Sequence, residues 1–558
     1  MSTNPSTNSV SSFPVVGLYD PRINVRSSAN QAYVAHKGAA LVTKQVYTTT
    51  SFSDSSFQFT TPPPSNKHFV DRLVWLKCNF QLTFDQDVRP GLGVNYGLRQ
   101  FPLGAIQQNT VCTINTNQTS VVTSDILHAL MRYSVNHERQ NLVNSLSASM
   151  PDQYQDYKTW ASPTVGGSAR NPLSAYGEYN NQNRGAIQPD SIGEDGKTLV
   201  YTVTEPIWLL SPFLFETEDH LGLTNVTAMT WNFNLVSNLG SRMWCSDGLA
   251  GTPITTVSAT FLASPELHFN YLTPPELMYI PNNISYPFYN ITRYANPPTI
   301  LTAGSSITSS ALSVIQLNEI PKKIYIYVQR NSSDKLSASG FNYTDTFASI
   351  TNITLTFNNS ASLFSNWQQE DLYILSRKNG LNDSWMQFKN FTGSVIALDP
   401  SYDFGLPSVL SGGSLGQFNF RLAISYTNTG STTVNFVPYV VIVNEGIMDI
   451  GTNGTVVQTG VLSRAAVLNA ANLPQVEYER VVHRGGSIFG QLKSFLQSAK
   501  PFINKIARVG EVIGEQVGGP YGSIIQQSSS LARQLTGGKK NMYRRRGRGL
   551  VGSGLEEI

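Results

Sequence analysis

The stretch that decides the fold is LRQFPLGAIQQNTVCTINTNQTSVVTSDILHALMRYS, residues 98–134. Val111, Thr113 and Asn115 alternate with residues 112, 114 and 116, a period of two rich in β-branched side chains, which predicts a strand with one buried face. Residues 115–117 are polar and predict a tight turn into a second strand. Ser124 and Asp125 then predict the N-cap of a short helix. An apolar stripe marks the core-facing side of that helix: Ile126, Leu127, Leu130 and Met131.

A strand pair followed by a short helix is a feature of β-sandwiches. The segments LRQFPLGAI (98–106), TINTNQTS (113–120) and DILHALMRYS (125–134) together resemble the first-domain pattern of double jelly-roll major capsid proteins, the hexon-like shell proteins of double-stranded DNA viruses. The resemblance is strongest to the lineage of polintons, polinton-like viruses, adintoviruses and virophages.

Length and composition are consistent with a shell protein. A chain of 558 residues is too long for one core and predicts two to four domains. Charged residues make up only 13%, about half the usual share, whereas apolar residues reach 40%. A surface that is polar but weakly charged favours protein packed against protein over a freely soluble enzyme.

The cysteines and the N-terminus point to a reducing compartment. Cys78, Cys112 and Cys245 lie far apart without a CxxC spacing, so we predict buried free thiols rather than a disulfide framework or a metal site. The opening MSTNPSTNSVSSFP has neither the basic start nor the apolar core of a secretory signal. No stretch reaches the ~18 apolar residues of a membrane span.

Turn and linker signals divide the chain into four predicted regions. Residues before 60 are rich in Ser, Thr and Asn, and Pro62, Pro63 and Pro64 end them, while Pro274 and Pro275 form a stiff connection. The predicted regions are an N-terminal arm (1–64), a first jelly roll (65–272), a second jelly roll (273–447) and a C-terminal extension (448–558).

The first predicted jelly roll opens with HFVDRLVWLKCNFQLTF, residues 68–84, where every second side chain is apolar. Residues 136–196 lack a strand pattern and predict a long outward-facing surface loop. Strand patterns return at 197–213 and 229–241, and the segments around 205–213 and 242–244 also resemble the capsid family.

The second predicted jelly roll repeats this organisation. KIYIYVQ, residues 323–329, has an aliphatic face backed by an aromatic and polar one, and 350–357 has the same period. Residues 363–379 predict a helix stopped by Asn379-Gly380, within a segment (366–388) that again resembles the family. Residues 416–428 and 437–448 supply the last strands.

These patterns predict an all-β protein with two tandem jelly-roll β-sandwiches, short helical insertions and a helical, basic C-terminal tail. We expect antiparallel sheets because strands and helices do not alternate in a regular βαβ pattern. A single large β-sandwich with appendages is the alternative fold, but it leaves the second strand set unpaired.

Enzyme motifs are weak in this chain. Residues 412–416, GGSLG, match the nucleophile elbow G-x-S-x-G, but a strand pattern follows where a helix is required, so we predict a turn. The glycines of 91–97 have the wrong spacing for a dinucleotide loop, and the seven histidines show no metal-ligand spacing. We therefore predict no catalytic residue, no cofactor and no metal site.

The C-terminal tail is strongly basic. Residues 480–558 carry a net charge of +9 and the rest of the chain −6. A cationic amphipathic helix is predicted, kinked at Pro501, that docks on the protein body or a neighbouring capsomer, or lies on a membrane surface. Its apolar positions are Ile488, Leu492, Phe495, Leu496, Ile503 and Ile506.

The end of the tail carries a basic cluster that suits packaged DNA, bound without sequence preference, or a nuclear-import signal. Its members are Lys539, Lys540, Arg544, Arg545, Arg546 and Arg548. Two short motifs, LTGGK (535–539) and LVGSG (550–554), resemble cleavage sites of adenovirus-type maturation proteases. We predict trimming between Gly538 and Lys539, between Ser553 and Gly554, or at both sites.

The resemblance implies a non-enzymatic major capsid protein whose homotrimer acts as a pseudo-hexameric tile of an icosahedral shell. It also implies contacts with neighbouring capsomers and with penton and minor capsid proteins, and a virion location with assembly inside the host cell, the nucleus being one candidate site. Two alternatives stay open: a carbohydrate-binding or hydrolytic β-sandwich, which needs aromatics beside paired carboxylates, and a single-jelly-roll capsid or spike protein, which needs only one strand set.

Overall fold

The computed structural model describes residues 41–65, 67–92, 96–134, 152, 189–207, 209–213, 222–246, 253–274, 280, 282–358, 360–406, 412–451 and 454–459. They form two antiparallel β structures in tandem, called here the first half (residues 41–273) and the second half (residues 283–459). Both halves lie in one compact unit.

The described part of the first half has fourteen strands, three α-helices and a 3-10 helix at Arg89–Gly91. The strands are β1 (Leu41–Thr48), β2 (Ser51–Ser53), β3 (Ser56–Thr60), β4 (Phe69–Val70), β5 (Trp75–Phe84), β6 (Tyr96–Leu98), β7 (Gln107–Ile114), β8 (Asn117–Val121), β9 (Ser191–Ile192), β10 (Thr198–Pro206), β11 (Met229–Leu235), β12 (Trp244–Ser246), β13 (Val257–Phe261) and β14 (Glu266–Thr273). The helices are α1 (Pro102–Ile106), α2 (Thr123–Ser134) and α3 (Leu239–Met243). One sheet has the order β1-β14-β5-β10-β9, and the other has the order β2-β3-β11-β7-β8.

The described part of the second half has eleven strands, four α-helices and a 3-10 helix at Gly340–Asn342. The strands are β15 (Asn283–Ala295), β16 (Thr299–Leu301), β17 (Ser306–Ala311), β18 (Ile315–Glu319), β19 (Lys323–Arg330), β20 (Ser349–Phe357), β21 (Ser360–Leu363), β22 (Val395–Leu398), β23 (Leu415–Thr427), β24 (Val434–Gly451) and β25 (Gly454–Thr459). The helices are α4 (Ser332–Lys335), α5 (Gln369–Lys378), α6 (Trp385–Asn390) and α7 (Pro400–Asp403). The sheets have the orders β15-β24-β19-β22 and β17-β23-β20-β21.

The two halves repeat one topology. In the first sheet of each half, the opening strand pairs with the closing strand, as β1 does with β14 and β15 with β24. A hairpin in the other sheet leads into a helix in both cases: β7-β8 precedes α2, and β20-β21 precedes α5. The ladders between these strands are antiparallel. The prediction of two tandem antiparallel sandwiches is therefore confirmed.

Alternating side chains build the two cores as the sequence predicts. Along β5 every second residue is buried, including Leu76, Cys78 and Phe80. The turn at 115–117 forms with Asn115 at a φ of +54°, a left-handed conformation that asparagine tolerates. Gly380 has a φ of +107° directly after α5, which confirms the predicted glycine stop of that helix.

The limits of the predicted arm and extension differ from the structure. Residues 41–60 form β1, β2 and β3 of the first half, because Phe57 and Phe59 are fully buried between polar neighbours that face outward. At the other end β24 continues to Gly451 and β25 pairs with it, burying Met448 and Ile450. Short runs of alternating polar and apolar residues are sufficient for edge strands, so these segments belong to the sheets.

Two predicted elements begin later than the periodicity suggests. The strand predicted for 68–84 is a short β4 and then β5 from Trp75. The helix predicted for 363–379 begins at Gln369, because 360–363 pair as β21 and Phe364 has a φ of +63°. Gln368 and Asp371 form a reciprocal capping box that starts α5 at this point.

A buried carboxyl group anchors α1 beneath the first sheet. Glu205 is 1% exposed and accepts hydrogen bonds from the backbone N–H groups of Leu103 (3.0 Å) and Gly104 (2.7 Å). Burial raises the pKa of Glu205 to about 8, against the opposing effect of these two bonds. The segment 98–106 is therefore held to β10 by backbone donors at the start of a helix that is itself buried.

Candidate functional site: the interface between the two halves

Both faces of β19 are buried, and each has its own partner. Ile324, Ile326 and Val328 pack into the core of the second half. Tyr325 and Tyr327 point the other way and join the hydrophobic cluster of the first half. The two chemically different faces predicted for 323–329 therefore correspond to a core face and an interface between halves.

Helix α2 lies against this aromatic face. The ring centroids of Tyr133 and Tyr325 are 5.1 Å apart, and the Tyr133 hydroxyl donates to the carbonyl oxygen of Val395. The Tyr327 hydroxyl donates to the carbonyl oxygen of Asp125 over 2.8 Å. Since phenol groups at both ends of the helix are hydrogen-bonded across the interface, the position of α2 on the second half is well defined.

The Asp125 side chain has a different role from the predicted helix cap. The structure begins α2 at Thr123, and the Asp125 carboxylate accepts a hydrogen bond from the Ser332 hydroxyl over 2.8 Å. The same carboxylate forms an ion pair with Arg293 on β15. The acidic residue in the first turn of α2 thus forms an ion pair with an arginine on the edge strand β15 of the second half.

A buried ionic cluster lies beside the aromatic contact. Asp345, which precedes β20, is 3.1 Å from Arg99 Nη1 and 2.9 Å from Arg242 Nη2. Asp345 Oδ2 is also 3.3 Å from His128 Nε2 on α2. Burial opposes ionisation of Asp345, but the neighbouring charge of Arg242, with that of Arg99, holds the pKa of Asp345 well below its ordinary value.

Two further ion pairs extend the cluster. Asp152 accepts a hydrogen bond from the backbone N–H of Asp345 over 2.7 Å and lies 3.4 Å from Arg99. Arg132 on α2 pairs with Asp383 of the second half at 3.3 Å. Asp152 belongs to the predicted outward-facing loop, yet it is buried, so at this point the loop is tied into the interface.

Two basic groups close to Asp345, His128 and Lys335, have lowered pKa values. Burial lowers the pKa of His128 to about 3, so the imidazole is neutral at neutral pH. Burial, together with the charge of Arg242, lowers the pKa of Lys335 to about 8. These shifts follow from removal of water around charges and fit a packed interface.

Arginines from the first half and Asp345 from the second are joined across the interface by buried ion pairs and hydrogen bonds, which oppose separation of the two halves. Within the described ranges, no group of three or more His, Cys, Asp or Glu side chains could hold a metal ion. No helix in those ranges is both long and apolar enough to cross a bilayer.

The structure places only some of the residues that the sequence singled out. Cys78, Cys112 and Cys245 are buried free thiols, as predicted. Ser414 lies in a turn that leads into β23, so the G-x-S-x-G motif is followed by a strand. The predicted amphipathic helix, basic cluster and cleavage motifs all lie beyond residue 459, outside the described residues.

The ionic cluster is not predicted by any of the sequence patterns above. Arg99 and Arg242 lie inside segments that were singled out only for their family resemblance, and Asp345 lies in a segment without periodicity. One sequence signal does indicate these residues: in a chain with only 13% charged residues, an arginine inside a largely apolar stretch without other charges, as in GLRQF or SRMWC, marks a charge with a buried partner.

Comparison with protein families matches both halves of the chain. Residues 11–197 match the family described as the Sputnik virophage major capsid protein first domain. Residues 286–446 match the major capsid protein V20 C-terminal domain. The two ranges together take up more than half of the chain.

Individual relatives agree with these matches. Capsid protein V20 of Sputnik virophage is 27% identical over 587 aligned positions, covering 96% of each chain. A chain in the cryo-EM structure of Sputnik virophage superposes with a TM-score of 0.72 at 26% identity, covering 86% of this chain and 98% of that one. The mavirus major capsid protein superposes with a TM-score of 0.58 at 15% identity, covering 86% and 99%, and supports the fold.

Proposed function

Because this chain is a double jelly-roll major capsid protein of the virophage lineage, we propose that three copies form a homotrimeric, pseudo-hexameric capsomer of an icosahedral shell. The observation that carries the proposal is the repeated topology: one chain contributes two similar sandwiches, so three chains contribute six. Six similar units around a threefold axis approximate the sixfold symmetry that a shell lattice requires.

The interface between the halves supports this role. A tile needs its two sandwiches at a constant angle, and the Asp345 cluster with the α2 contact fixes them without depending on the linker. The role is structural and non-enzymatic. The proposed partners are further copies of this chain, neighbouring capsomers, and penton and minor capsid proteins.

Oligomeric state in solution tests the proposal directly. We expect purified protein to elute as a species of about three times 61.2 kDa in size-exclusion chromatography with light scattering, and to appear as pseudo-hexagonal particles by electron microscopy. Obligate interfaces bury large areas, so the trimer should persist on dilution. A stable monomer at all concentrations would contradict the proposed function.

The C-terminal tail is proposed to act on the inner side of the shell. Its basic residues 539–548 neutralise packaged phosphates without sequence preference, so binding to DNA falls steeply with salt. The same cluster also suits nuclear import. The amphipathic segment 488–506 is proposed to dock on protein, with a membrane surface as the second candidate.

We further propose that the tail is trimmed during maturation, after Gly538, after Ser553 or after both. Intact mass spectrometry of chains from mature particles should then show a chain that ends at one of these residues. The same chain expressed alone should still end at Ile558 and serves as the control. Mature particles whose chains all end at Ile558 would contradict the proposal.

A further inference from the structure

Helix α5 of the second half holds the position that α2 holds in the first. Each follows the hairpin of its own sheet, and each has an acidic first turn, with Asp125 in α2 and Glu370 in α5. The surroundings differ. Helix α2 is covered by β19, whereas Ile374, in the middle of α5, is 63% exposed.

The sheet that would receive α5 also has an equivalent within the chain. Helix α2 lies on the outer face of the sheet β15-β24-β19-β22. The corresponding outer face of the first half, on β1-β14-β5-β10, carries a groove of about 520 Å³. Trp75, Leu73, Lys77 and His268 are among its lining residues. We call it the Trp75 groove.

Exposed apolar side chains surround the Trp75 groove. Leu73 is 38% exposed, and Val42 and Val46 on the neighbouring strand β1 are 47% and 46% exposed. Apolar residues clustered on one sheet face of a chain that assembles with its own kind mark a contact surface. The occupant must present an exposed apolar side chain, and Ile374 on α5 is one.

We propose that α5 of one copy docks in the Trp75 groove of the next copy around the threefold axis. The inference rests on the proposed homotrimer. In a ring of three, each copy offers one surface and receives a different one, so the contact cannot be self-complementary. Within one chain, α2 of the first half packs on the second half. Because the two halves share one topology, α5 of the second half can pack in the same way on the first half of the next copy.

Charge complementarity supports this pairing. Within the chain, Asp125 in the first turn of α2 pairs with Arg293 on the edge strand β15. Strand β1 has the place of β15 in its own half, and its exposed Lys44 lines the Trp75 groove. The exposed Glu370 in the first turn of α5 is therefore matched with Lys44 of the next copy.

Crosslinking between surface cysteines tests the contact. We expect the variant Leu73→Cys/Ile374→Cys, treated with a short bismaleimide, to give covalent dimers and trimers on a denaturing gel. Leu73→Cys alone and Ile374→Cys alone are matched controls, because a contact between different surfaces cannot link two identical positions. The three native cysteines are buried, so they do not compete for the reagent.

A charge exchange gives a second test of the same contact. Lys44→Glu and Glu370→Lys are each expected to weaken the trimer about tenfold on dilution, and the double variant should recover most of the loss. Both positions are exposed, so the variants should fold. A trimer by light scattering without crosslinks above the controls, or without recovery in the double variant, would overturn the docking but leave the homotrimer standing. A wild-type monomer would overturn both.

Discussion

Replacing Asp345 with alanine is expected to lower the free energy of unfolding by about 3–5 kcal/mol, the usual cost of breaking a buried ion pair by removing one partner. The reason is specific to this cluster. Arg99 and Arg242 both lie within 3.1 Å of the Asp345 carboxylate, and all three side chains are almost fully buried. Without the carboxylate, two guanidinium groups remain in a low-dielectric interface with less compensation.

The measurement is the urea midpoint of unfolding at one protein concentration, since assembly also contributes to apparent stability. Asp54→Ala is the matched control, because Asp54 is exposed and its loss should change stability by no more than about 0.5 kcal/mol. If Asp345→Ala and Asp54→Ala unfold at the same midpoint, the cluster does not hold the halves together.

The stabilisation of the fold by Asp345 is expected to decrease at acidic pH. The pKa of Asp345 in the folded chain is well below its ordinary value of 3.8. A carboxylate of this kind stabilises the fold above its unfolded pKa, and the stabilisation is lost as the pH falls through the lower, folded value. The part of the difference between wild type and Asp345→Ala that comes from titration of Asp345 itself should therefore be constant at neutral pH and shrink only below about pH 4.

Replacing Tyr327 with alanine is the second change with a large expected effect, about 3–5 kcal/mol, as for other buried aromatic side chains cut back to alanine. Tyr327 is fully buried, and its ring is 5.4 Å from both Tyr439 and Phe347. The loss therefore removes packing from the interface and leaves a cavity beside α2.

The variant Tyr327→Phe distinguishes the contribution of the ring to stability from that of the hydroxyl group. This variant keeps the packing but leaves the carbonyl of Asp125 without the Tyr327 donor, at an expected cost of about 1–3 kcal/mol. Tyr402→Ala is the control, because Tyr402 is 58% exposed. Chemical denaturation should rank the four proteins as wild type and Tyr402→Ala, then Tyr327→Phe, then Tyr327→Ala. A Tyr327→Ala protein as stable as the control would show that the aromatic contact is dispensable.

The two predictions concern one physical requirement. A subunit that tiles a shell must keep its two sandwiches in a fixed relation while its outer surfaces engage other copies. Aromatic packing supplies contact area at the interface, and the buried charges penalise any arrangement in which they lose their partners. We therefore expect the aromatic packing to stabilise the interface and the buried charges to specify its orientation.

Much of the fold was predictable because it depends on the periodic pattern of residues that are close together in the chain. The alternation in residues 75–84 and 323–329, the turn at Asn115 and the glycine stop at Gly380 each depend on neighbouring residues, and each has the predicted form. The repetition of such patterns along the chain predicts two tandem sandwiches. The family resemblance of 98–134 adds the shell-building function.

Boundaries were less predictable. Residues 41–60 and 448–459 have weak periodicity, and they become strands because a neighbouring strand offers an unpaired edge. The role of Asp125 was also not predictable from its neighbours in the chain. It was predicted to cap a helix, but its carboxylate forms an ion pair with Arg293, which lies far along the chain.

The sequence by itself determined the strand pattern, the two-sandwich class and the membership of a capsid lineage, since these depend on side chains close together in the chain. Only the tertiary structure decided which charges meet. Arg99 and Asp345 are 246 residues apart, and no period or motif relates them. Their pairing depends on how two complete sandwiches pack, because a buried charge must find its partner wherever the folded chain brings one within reach.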